Sequence, residues 1–256
     1  MPARLHVPQA LCAGLELPLP EGAARHVQVL RLQPGDALTL FDGCGGQWSA
    51  ELLAMGRKTV SARVLRHQPV DCELARPVTL ALGMPANERM DSLVEKATEL
   101  GVATIQPLVC ERSVLRLAGE RAQRKTAHWQ AVASAACEQC GRNRLPVVAE
   151  PVALRDWLAG QGQAPASASA RWMLSLADEA LPLAQRLAQW ASASAAVIFL
   201  SGPEGGLSPA EQALALALDF APVSLGRREL RADTAPLAAL AALALLDRTE
   251  PKDLLA

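Results

Sequence analysis

Residues 197–211 read Val197-Ile-Phe-Leu-Ser-Gly-Pro-Glu-Gly-Gly-Leu-Ser-Pro-Ala-Glu211. An apolar run ends in a tight turn, Gly202-Pro203-Glu204-Gly205-Gly206, and Ser208 follows as the cap of a helix with Pro209 at N1 and Glu211 at N3. Glycines at such a handover let backbone approach a ligand at the carboxyl end of a strand, where open α/β sheets bind. One glycine would be a plain turn; three of them with a Pro and a Glu in five positions read as a ligand loop. The loop fits neither common phosphate-binding pattern. A P-loop requires Gly-Lys, a pair absent from the chain. A dinucleotide fingerprint belongs to the first strand–helix turn of its fold, and this loop comes late. Kinase, dehydrogenase and Rossmann-type methyltransferase readings fall with it.

Outward from the loop, apolar strands alternate with helical patterns from Val78 onward. Strands are expected at Val78–Leu82, Val102–Val109, Leu145–Val148, Trp172–Leu176, Val197–Leu200 and Ala221–Leu225. Helices are expected at Asn87–Leu100 (stopped by Gly101), Glu120–Gln139, Leu183–Ala193, Ser208–Leu218 and Pro236–Leu246. The pattern predicts an α/β domain with a mainly parallel sheet. Residues 1 to about 72 differ: runs such as Leu38–Phe41 and Val60–Leu65, with turn signals at Pro34-Gly35-Asp36 and Asp42-Gly43, predict a small β-rich domain of about six short strands. Gln161–Ala170 is low-complexity and reads as a surface loop.

The chain has 256 residues, 50% of them hydrophobic, with 25 basic and 26 acidic side chains. It is long enough to bury a sizeable core in one or two domains. Aromatics make up only 3%, with no Tyr, which excludes a nucleic-acid binder built on rows of stacking rings. No apolar h-region follows the opening residues and no run approaches a membrane span, so a reduced cytosol is expected. Cys137-x-x-Cys140 is the one close cysteine pair; without a second ligand pair it reads as small buried hydrophobes and no metal site is expected.

A second polar stretch follows the next expected strand: Val223-Ser-Leu-Gly-Arg-Arg-Glu-Leu-Arg-Ala-Asp-Thr-Ala-Pro-Leu-Ala-Ala-Leu240. This stretch and the glycine loop occur with Arg25-His26, Val29-Leu30-Arg31, Asp91–Gly101 (DSLVEKATELG), Glu111-Arg112-Ser113-Val114, and Ala136–Gln139 with Arg142 and Pro146. The ordered set resembles the RsmE family of 16S rRNA uridine-N3 methyltransferases, a branch of the SPOUT superfamily. The resemblance implies a PUA-like, RNA-binding β-barrel over 1–72 and a SPOUT α/β domain with a deep trefoil knot over 73–256. It also implies S-adenosylmethionine (SAM) as cofactor, a homodimer, and 16S rRNA, within the 30S subunit, as partner. Where the family reads Leu-Arg-Thr-Glu-Thr-Ala, this chain has Leu230-Arg-Ala-Asp-Thr-Ala235, which shortens the carboxylate and removes a hydroxyl.

Methylating uracil N3 requires loss of its imino proton while the methyl donor is held in place. Arg231 and Asp233 are the candidate catalytic residues: Arg231 to steady a developing anion, Asp233 as a carboxylate base. Pairing with each other, and capping of the last helix by Asp233, are the competing structural roles. Leu176, Leu200, Gly202, Glu204, Gly205, Gly206, Leu225, Gly226 and Leu230 are expected around the cofactor. Net charge is only −1, yet Arg112–Arg144 is strongly basic. Arg4, Arg25, Arg31, Arg112, Arg116, Arg142 and Arg144 are the candidate RNA contacts. A related SPOUT enzyme acting on tRNA or a ribose 2′-oxygen, and a non-catalytic RNA-binding assembly factor, remain the alternatives.

Overall fold

The computed structural model describes residues 2–56, 59–86, 89–161, 169–190 and 196–246. Most of the low-complexity stretch 161–170, the start of the helix expected at Asn87 and the end of the one expected at Leu183–Ala193 lie outside them. Contacts divide the chain into two compact units, Met1–Glu73 with Ser134–Leu145, and Leu74–Ala133 with Pro146–Ala256.

The first unit contains β1 (Ala3–His6), β2 (Glu16–Pro18), α1 (Glu21–Val29), β3 (Ala37–Phe41), β4 (Gln47–Met55) and β5 (Val60–Gln68). They form one barrel-like sheet in the order β1-β3-β4-β5-β2, with β1 parallel to β3 and the other pairs antiparallel. Alternate side chains such as Leu5, Leu17, Leu38, Leu40, Leu52 and Val64 make its core. Among the described residues, five strands and a helix stand where about six strands are expected. Pro20 at the N-cap of α1 makes no side-chain cap bond, and the helix contains Gly22 and two valines, so local propensity barely announces it. Burial of Ala23, Ala24 and Val27 against the sheet stabilises it instead.

Residues 134–145 belong to this unit through polar contacts. Glu138 accepts from the His6 backbone N–H at 2.8 Å, Asn143 donates to the Val70 carbonyl at 3.1 Å, and the Leu145 N–H donates to Gly43 at 3.1 Å. Cys137 is fully buried and burial pushes its thiol up to about 12, the behaviour of a packed hydrophobe rather than a thiolate.

The second unit is built on a parallel sheet. Its strands are β6 (Val78–Gly83), β7 (Thr104–Val109), β8 (Val147–Val148), β9 (Val152–Ala153), β10 (Ser169–Leu174), β11 (Leu181–Pro182), β12 (Ala196–Ser201) and β13 (Ala221–Ser224). The order is β11-β13-β10-β12-β6-β7-β8, with β9 also on β7, and every pairing is parallel. Helices are α2 (Arg89–Glu99), α3 (Gly119–Cys140, its residues from Ser134 on counted with the first unit), α4 (Leu154–Gln161), α5 (Leu183–Gln189), α6 (Pro209–Ala217) and α7 (Thr234–Leu246). Both faces are covered, which explains the near-continuous apolar strands. Along β12, Val197 and Phe199 join one core with α2, α3 and α7, whereas Ile198 and Leu200 join another with α4 and α6. The strand expected at Trp172–Leu176 is shifted back to Ser169–Leu174, and Leu176 lies beyond its end, exposed.

Asp91 on α2 accepts from Trp129 Nε1 at 2.9 Å and lies 2.8 Å from His128 Nε2, tying α2 to α3. Burial pushes the Asp91 carboxyl up, but the His128 and Trp129 bonds and the His128 and Lys125 charges outweigh it and hold it below its ordinary value. A carboxylate lowered on folding contributes stability that is present above its unfolded value, about pH 4, and is lost as pH falls through the folded value. Thermal melts from pH 7 down to pH 2.5 should therefore show Asp91→Asn losing less stability than the native chain; parallel curves would contradict this role.

Candidate active site

The carboxyl ends of β10, β12 and β13 enclose a cavity of about 640 Å³, within the range of small-molecule sites. Its floor is the glycine loop. A Cβ on Gly202 would lie 2.7 Å from the Gly206 carbonyl carbon and the Leu207 nitrogen, so only glycine lets the loop fold back on itself. Gly206 has φ +68° and donates its N–H to the Pro203 carbonyl at 2.8 Å, closing the turn. Gly83, at the end of β6, lies so close to Pro203 that any side chain there would collide with the loop.

Side chains fix the loop from outside. Glu204 accepts from the Ala86 N–H at 2.9 Å and faces Arg89 Nη1 at 3.7 Å. Arg112 Nη1 donates to the Gly205 carbonyl at 3.0 Å. Ser208 and Glu211 form the expected capping box: Glu211 Oε2 accepts from the Ser208 N–H at 2.8 Å, and Ser208 Oγ accepts from the Glu211 N–H at 3.2 Å. A third bond lies outside the motif, because Glu211 Oε1 also accepts from the Glu111 N–H at 2.8 Å.

Of the residues expected around a cofactor, Leu176, Gly202, Glu204, Gly205, Gly206, Leu225 and Leu230 line the cavity. Leu200 does not; it is fully buried in the core shared with α4 and α6, supporting the loop from below. Gly226 also lies off the wall. Its φ of +107° and its N–H bond to Ser224 Oγ at 3.2 Å shape the turn that presents Leu225. Arg231 lines the cavity, whereas Asp233 is half-buried and not part of its wall, with Oδ1 buried and without a hydrogen-bond partner.

The motif reading passed over Ser201, Arg89, Gln212 and Arg228, which all line the cavity. Ser201 is 4% exposed and its Oγ also lacks a partner. Its position immediately before Gly202 was the available signal.

The candidate RNA contacts divide into two groups. Arg112 and Arg116 are exposed, and Arg116 donates to the Glu111 carbonyl at 3.0 Å. Arg25, Arg31 and Arg144 are exposed as well; Arg25 pairs with Glu21, a solvated i,i+4 contact of little energetic weight. Arg142 and Arg4 are placed differently. Arg142 is 3% exposed, and its guanidinium is held by the Glu73 carboxylate, with Nε at 3.0 Å. Arg4 bonds Gln47, Asn143 Oδ1 at 2.7 Å, and the carbonyls of Gly141 and Arg142. Arg142 is buried and Arg4 half-buried, and the guanidinium groups of both are engaged by acceptors of the first unit.

A family model described as RNA methyltransferase domain matches residues 72–244, and one described as RNA methyltransferase PUA domain matches 19–65. The ribosomal RNA small subunit methyltransferase E of Synechocystis sp. is 36% identical over 221 residues, 86% of this chain and 70% of that protein. The chain belongs to the ribosomal RNA small subunit methyltransferase E family. The family member from Bacillus subtilis is 30% identical, covering 85% of this chain and 84% of that one. The crystal structure of the family member from Neisseria gonorrhoeae bound to S-adenosyl methionine superposes with a TM-score of 0.86 at 34% identity, covering 96% of this chain and 98% of that one.

Removing one partner of a buried ion pair strands the other charge. Arg142→Ala should therefore lower unfolding free energy by about 3 kcal/mol in urea denaturation. Unchanged stability with weakened RNA affinity would restore Arg142 as an RNA contact.

Proposed function

We propose that this protein is a SAM-dependent methyltransferase that modifies N3 of a uridine in 16S rRNA of the small ribosomal subunit. The observation that carries the reading is the cavity at the glycine loop, in a chain so similar over almost its whole length to a relative solved with SAM. Its residues fit that cofactor. The Gly202–Gly206 backbone and the segment Leu225–Leu230 offer closely approachable N–H and C=O groups between aliphatic walls, and Ser201 Oγ is a buried polar atom still without a partner. When bound there, SAM supplies an activated methyl group on a sulfonium.

The remaining work falls to the chain's own side chains. Arg231, on the cavity wall, is placed to hold the uracil edge and to stabilise negative charge as the imino proton leaves. Asp233 lies two residues after Arg231, and its Oδ1, buried without a hydrogen-bond partner, is the acceptor assigned to that proton. The exposed arginines Arg25, Arg31, Arg112, Arg116 and Arg144 are assigned to rRNA phosphates. In this reading residues 1–72 are the PUA-like RNA-binding domain and 73–256 the methyltransferase domain. The deep knot is supported by the insertion of β12 between β6 and β10 and by the tight passage of Pro203 over Gly83. A homodimer is supported by α7, which is apolar almost all round and leaves Leu245 86% exposed. A cytoplasmic setting follows from the ribosomal substrate.

Nucleoside mass spectrometry of 16S rRNA decides the matter. Small subunits from a deletion strain should lack one 3-methyluridine, and purified protein with SAM should restore it. An unchanged 3-methyluridine signal in the deletion strain would overturn the assignment, and a methylated tRNA or ribose would replace it.

A further inference from the structure

Glu211 does more than cap α6. The capping box needs only the Ser208 N–H on Oε2 and the Glu211 N–H on Ser208 Oγ. The second carboxylate oxygen is spent on another loop, the segment after β7, through the Glu111 N–H at 2.8 Å. Glu211 is 2% exposed, so water does not substitute for either bond. That segment is itself pinned: the buried Ser113 hydroxyl accepts from the Cys110 N–H at 2.9 Å, and Arg155 pairs with the Glu111 side chain at 2.9 Å. Burial together with the Glu211 charge pushes the Cys110 thiol up to about 12, which places that charge against the same turn.

With Glu111 fixed at both ends, the next residue has little freedom. Arg112 reaches back to the glycine loop, donating to the Gly205 carbonyl at 3.0 Å. A Cβ on Gly205 would lie only 3.0 Å from Arg112 Cβ, so the two backbones are in close register. Arg112 and Gly205 both line the cavity.

We propose that Glu211 is a positioning residue that locks the Arg112 segment to the glycine loop, so that one buried carboxylate sets both the cofactor wall and the arginine beside it. The proposal rests on the cofactor reading above and adds a route: Glu211 acts on SAM affinity through Arg112. Removing either member of the chain Glu211–Glu111–Arg112–Gly205 releases the same loop, so the two effects do not add.

The test is a double-mutant cycle on the intact protein, using calorimetric SAM affinity and the kcat and KM for SAM on small subunits from a deletion strain. Glu211→Gln keeps the shape but turns an amide N–H toward a backbone N–H, and should raise the SAM Kd about tenfold. Arg112→Ala should raise it similarly, and the double variant should be no worse than the weaker single. A merely structural role would lower binding stoichiometry and kcat while leaving Kd and KM unchanged, and would overturn the proposal; so would about a hundredfold loss in the double variant, as independent effects require. If Glu211→Gln does not fold, the exposed Arg112→Ala carries the test alone: a raised Kd supports the route and an unchanged one overturns it. Failure of the native protein to bind SAM would instead sink the cofactor reading itself.

Discussion

Backbone must pass backbone at the end of β12 with no side chain between. Gly202 faces the carbonyl carbon of Gly206, and Gly83 faces Pro203, at separations that exclude even a methyl group. Everything around the cavity follows from that closeness. The loop folds back with Gly206 in a left-handed conformation; Glu204 ties it to the Ala86 N–H, Arg112 bonds the Gly205 carbonyl, and Glu211 holds the neighbouring Glu111 N–H. A loop so constrained lines the cavity at little reorganisation cost, which is what a preorganised small-molecule site requires.

Much of this was legible in the residues. Apolar runs bounded by glycine located β6, β7, β12 and β13, because strands buried on both faces carry an unmistakable pattern. The Ser208–Glu211 capping box was readable because it is local. Elements that depend on distant partners were not. The helix α1 has poor intrinsic propensity and exists because Ala23, Ala24 and Val27 find a sheet formed largely by later residues. The third bond of Glu211 crosses 100 positions, and no spacing rule announces it. Nor does sequence distance reveal that residues 134–145 pack with the first unit.

The arginines show the same limit. A basic stretch in sequence says where cations are, not what they face. Arg142 and Arg4 sit among the acceptors Glu73, Asn143 and the 141–142 carbonyls, whereas Arg112 is turned to the glycine loop. A net charge of −1 therefore averages cations consumed inside the fold with exposed ones available to an anionic partner. The shortage of aromatic rings fits a site that would hold one base in a cavity rather than stack a strand along a surface.

A crystal structure of the intact protein grown with SAM is the decisive measurement. The cofactor is expected in the cavity between the Gly202–Gly206 backbone and Leu225–Leu230, with the glycine loop unmoved and Arg112 still bonded to the Gly205 carbonyl. SAM bound elsewhere, or a loop that must open at Gly202 to admit it, would show that the glycine loop is not a preformed cofactor wall.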